Sequence, residues 1–267
     1  MIIKEYDLLE IYKRYNAHFG TIYPKEAISS SMVQQPIPNW DFISESDFEK
    51  SIHLSVLEDM KDENITFMEL GAGFGMQSID VFGAIKNAIV STHVKTIRCI
   101  GIEAEPTHYK WLCDMFKMNG IDGLPIYGAI SNKLKYCGFC VYGSPDTQYG
   151  GTLCGDPRPY EVPCFTIDYL FDRFEWAKIN YIDMDVQGAE VDVLQGGIKT
   201  IESGKIDYIK IETHATEFNQ QIRDLVGMYY DIVVDIMMGE DTVTIGGFSK
   251  PIYIPQNGIM LLRRRGL

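Results

Sequence analysis

The stretch Ile65-Thr-Phe-Met-Glu69-Leu-Gly71-Ala-Gly73-Phe-Gly75 decides the fold of this chain. Its apolar first half predicts a buried strand, and its three glycines predict a sharp turn that opens a helix at Met76. Met76 stands where the dinucleotide fingerprint requires a third glycine, so the spacing suits a cofactor without a pyrophosphate, such as S-adenosylmethionine. Glu69 would counter the cationic part of that ligand or hold the glycine turn by hydrogen bonds.

From residue 65 onward, helix-period segments alternate with short apolar runs. The apolar runs are Ile65–Leu70, Thr96–Glu103, Ile179–Asp183, Ile206–Ile211, Tyr229–Val234 and Gly258–Leu262, and the helix-period segments are Met76–Val90, Thr107–Asn119, Ala189–Glu202 and Glu217–Val226. This alternation predicts an α/β fold, a doubly wound and mostly parallel sheet with helices on both faces. Only turns separate the last strands, around Thr242–Ile245 and Gly258–Arg263, so we expect these to be antiparallel. Residues 123–168 are rich in Gly, Pro, Tyr and Cys and predict irregular structure or short strands. Before residue 60, Ser46-Asp-Phe-Glu49 has the spacing of a capping box and predicts the start of a helix.

The composition limits the class of partner. The chain has 267 residues, with 24 Lys and Arg against 37 Asp and Glu, so its formal net charge is −13. This excess argues against binding to duplex nucleic acid or to an anionic membrane. No apolar run approaches the roughly 18 residues of a membrane span, and the acidic start does not resemble a secretory signal. We therefore expect a cytoplasmic protein with a small or neutral substrate.

The six cysteines are too sparse for a disulfide scaffold, and we expect reduced thiols. A zinc quartet of Cys137, Cys140, Cys154 and Cys164 is the alternative, although a second closely spaced pair is missing.

A second acidic site follows the next predicted strand, Thr96–Glu103. A carboxylate at the tip of the second strand of such a sheet accepts hydrogen bonds from the two hydroxyls of a ribose. Glu103 has this position. Glu105 precedes Pro106 and is expected to lie at the N-terminus of the following helix.

The remaining motifs follow in a set order: Gly128-Ala-Ile-Ser131, then Asp183-Met-Asp185-Val-Gln-Gly188-Ala-Glu190, then Ile211-Glu212-Thr-His214. Together with the glycine turn and Glu103, they make the chain resemble the FkbM family of S-adenosylmethionine-dependent O-methyltransferases over roughly residues 60–215. Where the family commonly has Lys-Ile-Asp-Val-Glu-Gly, this chain has Asp183 in place of the lysine and Gln187 in place of the glutamate.

The resemblance implies a class I methyltransferase (Rossmann-like) fold with an antiparallel C-terminal strand. The sequence before the resemblance is polar and partly helical in pattern, so we predict a helical extension over residues 1–60 and a methyltransferase domain over residues 61–267. The implied activity is methyl transfer to a hydroxyl, often of a sugar or a glycosylated metabolite. By this resemblance, Gly71, Gly73 and Gly75 would line S-adenosylmethionine. Glu103 would hold its ribose, and residues 129–131 would lie along its adenine. The candidate cofactor residues are Glu69, Gly71, Ala72, Gly73, Gly75, Glu103, Ala104, Ala129, Ile130 and Ser131.

Two pairs of ionisable residues at strand ends are candidates for the chemistry. Asp183 and Asp185 are two positions apart and therefore point to the same side of a strand. Removing a hydroxyl proton requires a general base or a metal ion. Asp183, Asp185 and His214 are the candidate catalytic residues, and Asp183, Asp185 and Glu212 are candidate ligands for Mg²⁺ or Mn²⁺. The alternative roles are helix capping for Asp185 and a hydrogen-bonded histidine at a strand end for His214.

The acceptor is not identified by any motif. Tyr142, Tyr149 and Tyr160 are weak candidates for stacking on a sugar ring. A methyltransferase acting on RNA ribose would require paired lysines, for which Lys178 and Lys210 are available, but the acidity of the chain disfavours RNA. A nicotinamide oxidoreductase is disfavoured, because this chain has Met76 where such an enzyme has its third glycine. A non-catalytic binding domain of the same fold remains compatible with the sequence, since fold does not determine function. A homo-oligomer is also compatible with this fold.

Overall fold

The computed structural model describes residues 1, 3–6, 42–144, 149–154, 160–240, 242–254 and 257–267. Most of the predicted N-terminal extension, residues 7–41, lies outside the described residues. The helices are α1 (Glu45–Asp59), α2 (Met76–Lys86), α3 (Pro106–Asn119), α4 (Ile167–Phe174), α5 (Glu190–Gln195), α6 (Ile198–Glu202) and α7 (Phe218–Val226).

The strands form three sheets. In chain order they are β1 (Ile43–Ser44), β2 (Asn64–Leu70), β3 (Thr96–Glu103), β4 (Asp122–Tyr127), β5 (Ala129–Ile130), β6 (Lys135–Cys140), β7 (Thr152–Cys154), β8 (Tyr160–Phe165), β9 (Ile179–Met184), β10 (Ile206–Thr213), β11 (Tyr230–Ile236), β12 (Thr242–Val243), β13 (Ile252–Tyr253) and β14 (Gly258–Arg264). The central sheet has seven strands in the order β11-β14-β10-β9-β2-β3-β4. β14 runs antiparallel to β10 and β11, whereas the other pairings are parallel.

Two apolar layers cover the central sheet. One contains side chains of α1, α2 and α3, and the other contains side chains of α4 to α7. Neighbouring strand residues alternate between these layers, so Phe67 faces the first and Met68 the second. All six residues of β9 are buried, as expected for a central strand covered on both faces. The predicted doubly wound α/β fold with an antiparallel C-terminal strand is confirmed.

Helix α1 begins earlier than predicted. Ser44, not Ser46, is the N-cap, and its hydroxyl accepts a hydrogen bond from the Asp47 amide at 3.2 Å. The proposed capping box is therefore wrong, because Ser46 and Glu49 both lie within the helix. The side chain of Glu49 therefore does not cap the helix. It forms an ion pair with Lys210 instead.

Three further differences come from contacts between distant segments. The helix predicted over residues 189–202 is divided at Gly196 and Gly197 into α5 and α6, since a Cβ on Gly196 would lie 2.3 Å from the Ser131 carbonyl oxygen. The short strands predicted within residues 123–168 are present as β5 to β8, but this segment also supplies most of β4, an edge strand of the central sheet. Strand β12 pairs with β13 in a separate small sheet, so only β14 joins the central sheet.

The predicted reduced state of the cysteines is wrong for one pair. Strands β5 to β8 form a small sheet in the order β5-β8-β6-β7, and a disulfide joins Cys140 of β6 to Cys154 of β7. This bond also excludes the alternative zinc quartet, which needed both sulfurs as ligands, while Cys137 and Cys164 remain free. Cross-strand pairing brought together two cysteines that are 14 positions apart. In the described part of the chain, no helix is both long and apolar enough to cross a membrane.

We predict that replacing Cys140 and Cys154 together by serine lowers the free energy of unfolding by about 3 kcal/mol, because a bond closing a loop of this length restricts the unfolded chain. Denaturant unfolding of the oxidised protein and the double variant measures this difference. Cys113→Ser, which removes a free thiol, is the matched control. Equal stability of the double variant and the wild-type protein would contradict the disulfide.

Candidate active site

A cleft opens at the carboxyl ends of β2, β3 and β9, where ligands bind in sheets of this kind. Eight of the ten candidate cofactor residues line it: Glu69, Gly71, Ala72, Gly73, Glu103, Ala104, Ala129 and Ile130. The other two do not. Gly75 begins α2 and faces Leu112 and Met115 of α3, and Ser131 lies on a separate surface groove. Asp183 and Asp185 line the same cleft.

The glycine turn is packed directly against the end of β9. The Asp185 amide donates to the Leu70 carbonyl at 2.9 Å. Gly71 has a φ of +76°, and a Cβ at this position would lie only 1.8 Å from the Asp185 carbonyl oxygen. Only glycine satisfies both the left-handed backbone and the close approach. The turn that faces the cofactor is thereby joined to the strand end that carries Asp185.

Glu69 holds the glycine turn. Its buried carboxylate accepts hydrogen bonds from the amides of Gln77 and Ser78, at 3.1 and 2.9 Å, and from the Ser78 hydroxyl at 2.5 Å. These are donors of the first turn of α2, so Glu69 satisfies the free end of that helix from outside it. Burial raises the pKa of Glu69 to about 8, against the lowering effect of the Ser78 hydrogen bond.

Glu103 lies opposite the glycine turn. Its carboxylate accepts hydrogen bonds from the Gly73 amide at 2.7 Å and from the Glu105 amide at 2.6 Å. Burial raises the pKa of Glu103 to about 7, while these backbone hydrogen bonds lower it. Glu105 accepts from the His108 amide at 2.6 Å and is the N-cap of α3, as predicted.

Aromatic side chains cover the glycine turn, an arrangement that the sequence did not predict. The ring of Tyr149 stacks on that of His108 with centroids 4.3 Å apart, and it packs edge-on against Phe74. The predicted sugar-stacking role of Tyr149 is thus replaced by an intramolecular stack, and His108 is a partner in it. Tyr142 and Tyr160 are exposed. Val141, Gly151 and Leu153, near the disulfide, complete this side of the cleft. Sequence motifs do not mark this cover because it comes from the irregular segment.

Beside the cleft, next to Asp185, His214 lies between two carboxylates. Its Nδ1 is 2.7 Å from Glu190 Oε1, and its Nε2 is 3.5 Å from Asp185 Oδ1. Glu190 is fully buried and also accepts from the Gly188 amide at 3.0 Å. Because an ionised carboxylate only accepts, the Nδ1 proton is donated to Glu190, while Nε2 faces Asp185.

The ionisation of this end reflects burial and charge together. Burial alone would lower the pKa of His214, but the hydrogen bond to Glu190 and the charges of Asp185, Glu190 and Glu212 raise it. Burial raises the pKa of Asp185 to about 6, while His214 lowers it. Asp185 also accepts from the Gln187 side chain at 2.6 Å. The predicted capping role of Asp185 has no support, since its side chain makes these contacts instead.

The metal ligands predicted from the sequence do not form one group. Donor atoms of Asp185, Glu212 and His214 lie within 4.8 Å of one another. Asp183 is not part of this group; it lies 3.3 Å from the ammonium of Lys210 and 3.6 Å from His53 Nε2. The third member of this group of possible metal ligands is therefore His214, and not Asp183 as the sequence predicted.

Part of the chain matches a known protein family. Residues 144–240, which contain Asp183, Asp185, Glu190, Glu212 and His214, match the profile of the methyltransferase FkbM domain. The resemblance to the FkbM family is confirmed over this segment. The strand order of the central sheet, with β14 inserted between β10 and β11, is that of the class I methyltransferase fold. The glycine turn and Glu103 precede the matched FkbM segment.

The solved structures with similar folds have low sequence identity to this chain. Methyltransferase FkbM from Methylobacillus flagellatus KT is 11% identical with a TM-score of 0.48, and the alignment covers 96% of this chain and 60% of that one. Precorrin-6y C5,15-methyltransferase from Geobacter metallireducens GS-15 is 10% identical with a TM-score of 0.45, covering 91% and 94%. Fibrillarin from Aeropyrum pernix, in complex with S-adenosyl-L-methionine, is 12% identical with a TM-score of 0.43, covering 83% and 75%. No curated protein sequence gave a significant match.

We predict that Gly71→Ala abolishes binding of S-adenosylhomocysteine, because its Cβ would collide with the Asp185 carbonyl and separate the glycine turn from β9. The matched control is Gly120→Ala, since Gly120 has a φ of +65° but a Cβ there would meet nothing within 4 Å. The control has only the backbone strain of about 1–2 kcal/mol. Calorimetry and thermal unfolding separate the two effects. Equal behaviour of both variants would show that the close contact does not matter for binding.

We predict that Glu103→Ala weakens S-adenosylhomocysteine binding by about 1–3 kcal/mol, the usual loss for hydrogen bonds to a charged group. Calorimetric titration measures the loss, with Glu105→Ala as a neighbouring acidic control. Unchanged affinity in the Glu103 variant would show that this carboxylate does not hold the ribose.

Proposed function

We propose that this chain is an S-adenosylmethionine-dependent O-methyltransferase that acts on a hydroxyl of a sugar, in a glycan or a glycosylated metabolite. One observation carries the proposal: the cleft that contains the glycine turn and the ribose-type carboxylate Glu103 is also lined by Asp185, which lies 3.5 Å from the oriented histidine His214. The FkbM match of residues 144–240 supports the same reaction class.

The cofactor end favours S-adenosylmethionine over a dinucleotide. The third glycine of a pyrophosphate-binding turn is absent, and Glu69, which lines the cleft, holds the helix end itself. A phosphate would have to compete with that carboxylate for the amides at the start of α2. A neutral adenosine with a cationic sulfonium has no such conflict.

The chemistry needs one proton transfer. S-adenosylmethionine, when bound, would supply an activated methyl group, which the acceptor oxygen would take in line as the carbon–sulfur bond breaks, with neutral S-adenosylhomocysteine as the leaving group. The hydroxyl proton moves to Nε2 of His214, whose Nδ1 proton is held by Glu190. Asp185 orients the acceptor hydroxyl beside Nε2. Exclusion of water and alignment of the two reactants supply the remaining acceleration.

The same end of the cleft has the donor atoms of a divalent-cation site. Asp185, Glu212 and His214 offer two carboxylates and one imidazole, a set that suits Mn²⁺ better than Mg²⁺. Gln187 donates a hydrogen bond to Asp185 and Asn257 donates one to Glu212, whereas His214 donates from Nδ1 to Glu190. A bound cation would lower the pKa of the acceptor hydroxyl, and His214 would then be a ligand instead of the base.

RNA ribose is the weaker alternative acceptor. Lys178 pairs with Asp62 and Asp207 at the other end of β9 from Asp183, and Lys210 is buried among carboxylates. The two lysines therefore do not form the paired cationic site that a ribose phosphate needs. Tyr142 and Tyr160 remain exposed for a sugar ring. Another small-molecule hydroxyl, or a binding domain without turnover, is the further alternative.

Two expectations about context stay predictions. A homo-oligomer is compatible with the fold, and duplex nucleic acid remains disfavoured by the charge of −13. The predicted cytoplasmic location has one observation against it, because disulfides such as Cys140–Cys154 are uncommon in a reducing compartment.

Calorimetric titration with S-adenosylhomocysteine tests the cofactor assignment. We expect binding with Mn²⁺, with Mg²⁺ and with EDTA, and no binding of NAD as the control ligand. Affinity or turnover that depends on the cation would favour the metal-assisted form of the reaction. Failure to bind S-adenosylhomocysteine under every condition would overturn the methyltransferase proposal.

His214→Ala and Asp185→Asn are expected to preserve cofactor affinity but to lower methyl transfer by about 100-fold or more, the usual contribution of a positioned base. Transfer of a radioactive methyl group to a panel of methyl glycosides measures turnover. His93→Ala, at an exposed histidine, is the control. Full turnover in both site variants would contradict the catalytic assignment.

A further inference from the structure

Lys210 is a fully buried lysine that the reaction proposed above does not use. Its ammonium forms ion pairs with carboxylates from three elements. These are Glu49 of α1, Asp183 of β9 at 3.3 Å, and Glu212 of its own strand β10 at 3.3 Å. A buried charge persists only when partners compensate its desolvation, so these contacts are a strong constraint on all four side chains.

Two of these partners reach the site of chemistry. Asp183 lines the cleft, and Glu212 has an oxygen within 4.8 Å of donor atoms of Asp185 and His214. Lys210 itself does not line the cleft. Lys210 therefore affects the proposed acceptor site through Asp183 and Glu212, without lining the cleft itself.

The first two turns of α1 complete the network. Glu49 pairs with Lys210, and Glu45 is close enough for the charges of Lys210 and His214 to lower its pKa, although burial and the charge of Glu49 raise that pKa to about 7. His53, on the same helix, contacts Asp183 but does not add positive charge. Burial and the charge of Lys210 lower the pKa of His53 to about 4.

The strand register accounts for the position of Lys210 beside Asp183. Lys210 of β10 is the paired neighbour of Asp183 of β9. Asp183 stands where the common FkbM pattern has a lysine. This chain thus has a lysine on the neighbouring strand, directly opposite the position where the pattern has one.

We propose that Lys210 and Glu49 are positioning residues of the active site. Lys210 fixes Asp183 and Glu212 beneath the acceptor, and Glu49 fixes Lys210 from helix α1. The helix that the sequence assigned to an N-terminal extension is then a working part of the catalytic unit. This inference rests on the proposed function for the meaning of the acceptor end, but the network itself is tested without turnover.

The test compares Lys210→Met and Glu49→Gln with two controls that also remove paired charges, Lys178→Met and Glu58→Gln. Lys178 pairs with two carboxylates away from the cleft, and Glu58 lies on α1 and pairs with Lys4. The readout is the imidazole Cε1–H signal of His214 in protein labelled with ¹³C-histidine. The chain has five histidines, and the loss of one signal in His214→Gln assigns it.

We expect the His214 signal to shift in Lys210→Met and Glu49→Gln and to stay in place in both controls. Affinity for S-adenosylhomocysteine should stay within about threefold in all four variants, because none of the four substituted side chains lines the cleft. Methyl transfer to glycosides should fall about 100-fold in the two network variants, the usual result of a small misplacement of reacting groups. Lys210→Arg should retain the wild-type His214 signal.

An unmoved His214 signal in both network variants would overturn the proposal and leave Lys210 and Glu49 as packing residues. If Lys210→Met does not fold, Glu49→Gln carries the test, because glutamine keeps the shape of the side chain. Failure of the wild-type protein to bind S-adenosylhomocysteine would overturn the proposed function, while the His214 signal would still report on the network.

Discussion

The contact between the glycine turn and the end of β9 is the constraint on which the site depends. The Asp185 amide is bonded to the Leu70 carbonyl, and Gly71 lies against the Asp185 carbonyl with no room for a side chain. This contact sets the distance between the surface proposed for the cofactor and Asp185, the carboxylate proposed to face the acceptor. Methyl transfer in line requires such a fixed distance, because the reacting atoms must meet without a further search. Both neighbours of the contact are held in turn, the glycine turn by Glu69 and Glu103, and Asp185 by Gln187.

Buried acidity is the second property that organises the site. Burial raises the pKa of Glu69, Glu103 and Asp183 to about 8, 7 and 6, and each of these side chains lines the cleft. Their main compensation comes from backbone amides, a serine hydroxyl and Lys210. Such a cleft favours a ligand with positive charge and hydroxyl donors, and it disfavours phosphate. The same property connects the proposed cofactor with the proposed class of acceptor.

Local patterns predicted the central sheet well. The runs that became β2, β3, β9, β10, β11 and β14 were recognised from apolar residues, and the helix after the glycine turn from its period. Those patterns are local because burial on both faces of a strand requires continuous apolar residues. The small sheet, its disulfide and the stack of Tyr149 on His108 were not predicted. They depend on pairing between segments whose own sequences favour no single structure.

The sequence by itself determined which residues stand at the strand ends. The candidate site residues stand at the ends of apolar runs, and a parallel sheet brings such ends to one edge. These residues are Glu69, Gly71, Glu103, Asp183, Asp185, Glu212 and His214. Only the tertiary structure decided their partners. Glu190 holds His214, Lys210 holds Asp183, and α1 supplies Glu49. The physical reason is that ion pairs and hydrogen bonds across strands depend on strand order and register. In this chain β14 separates β11 from β10, and β9 lies between β10 and β2, an arrangement that long-range packing selects and that local sequence does not encode.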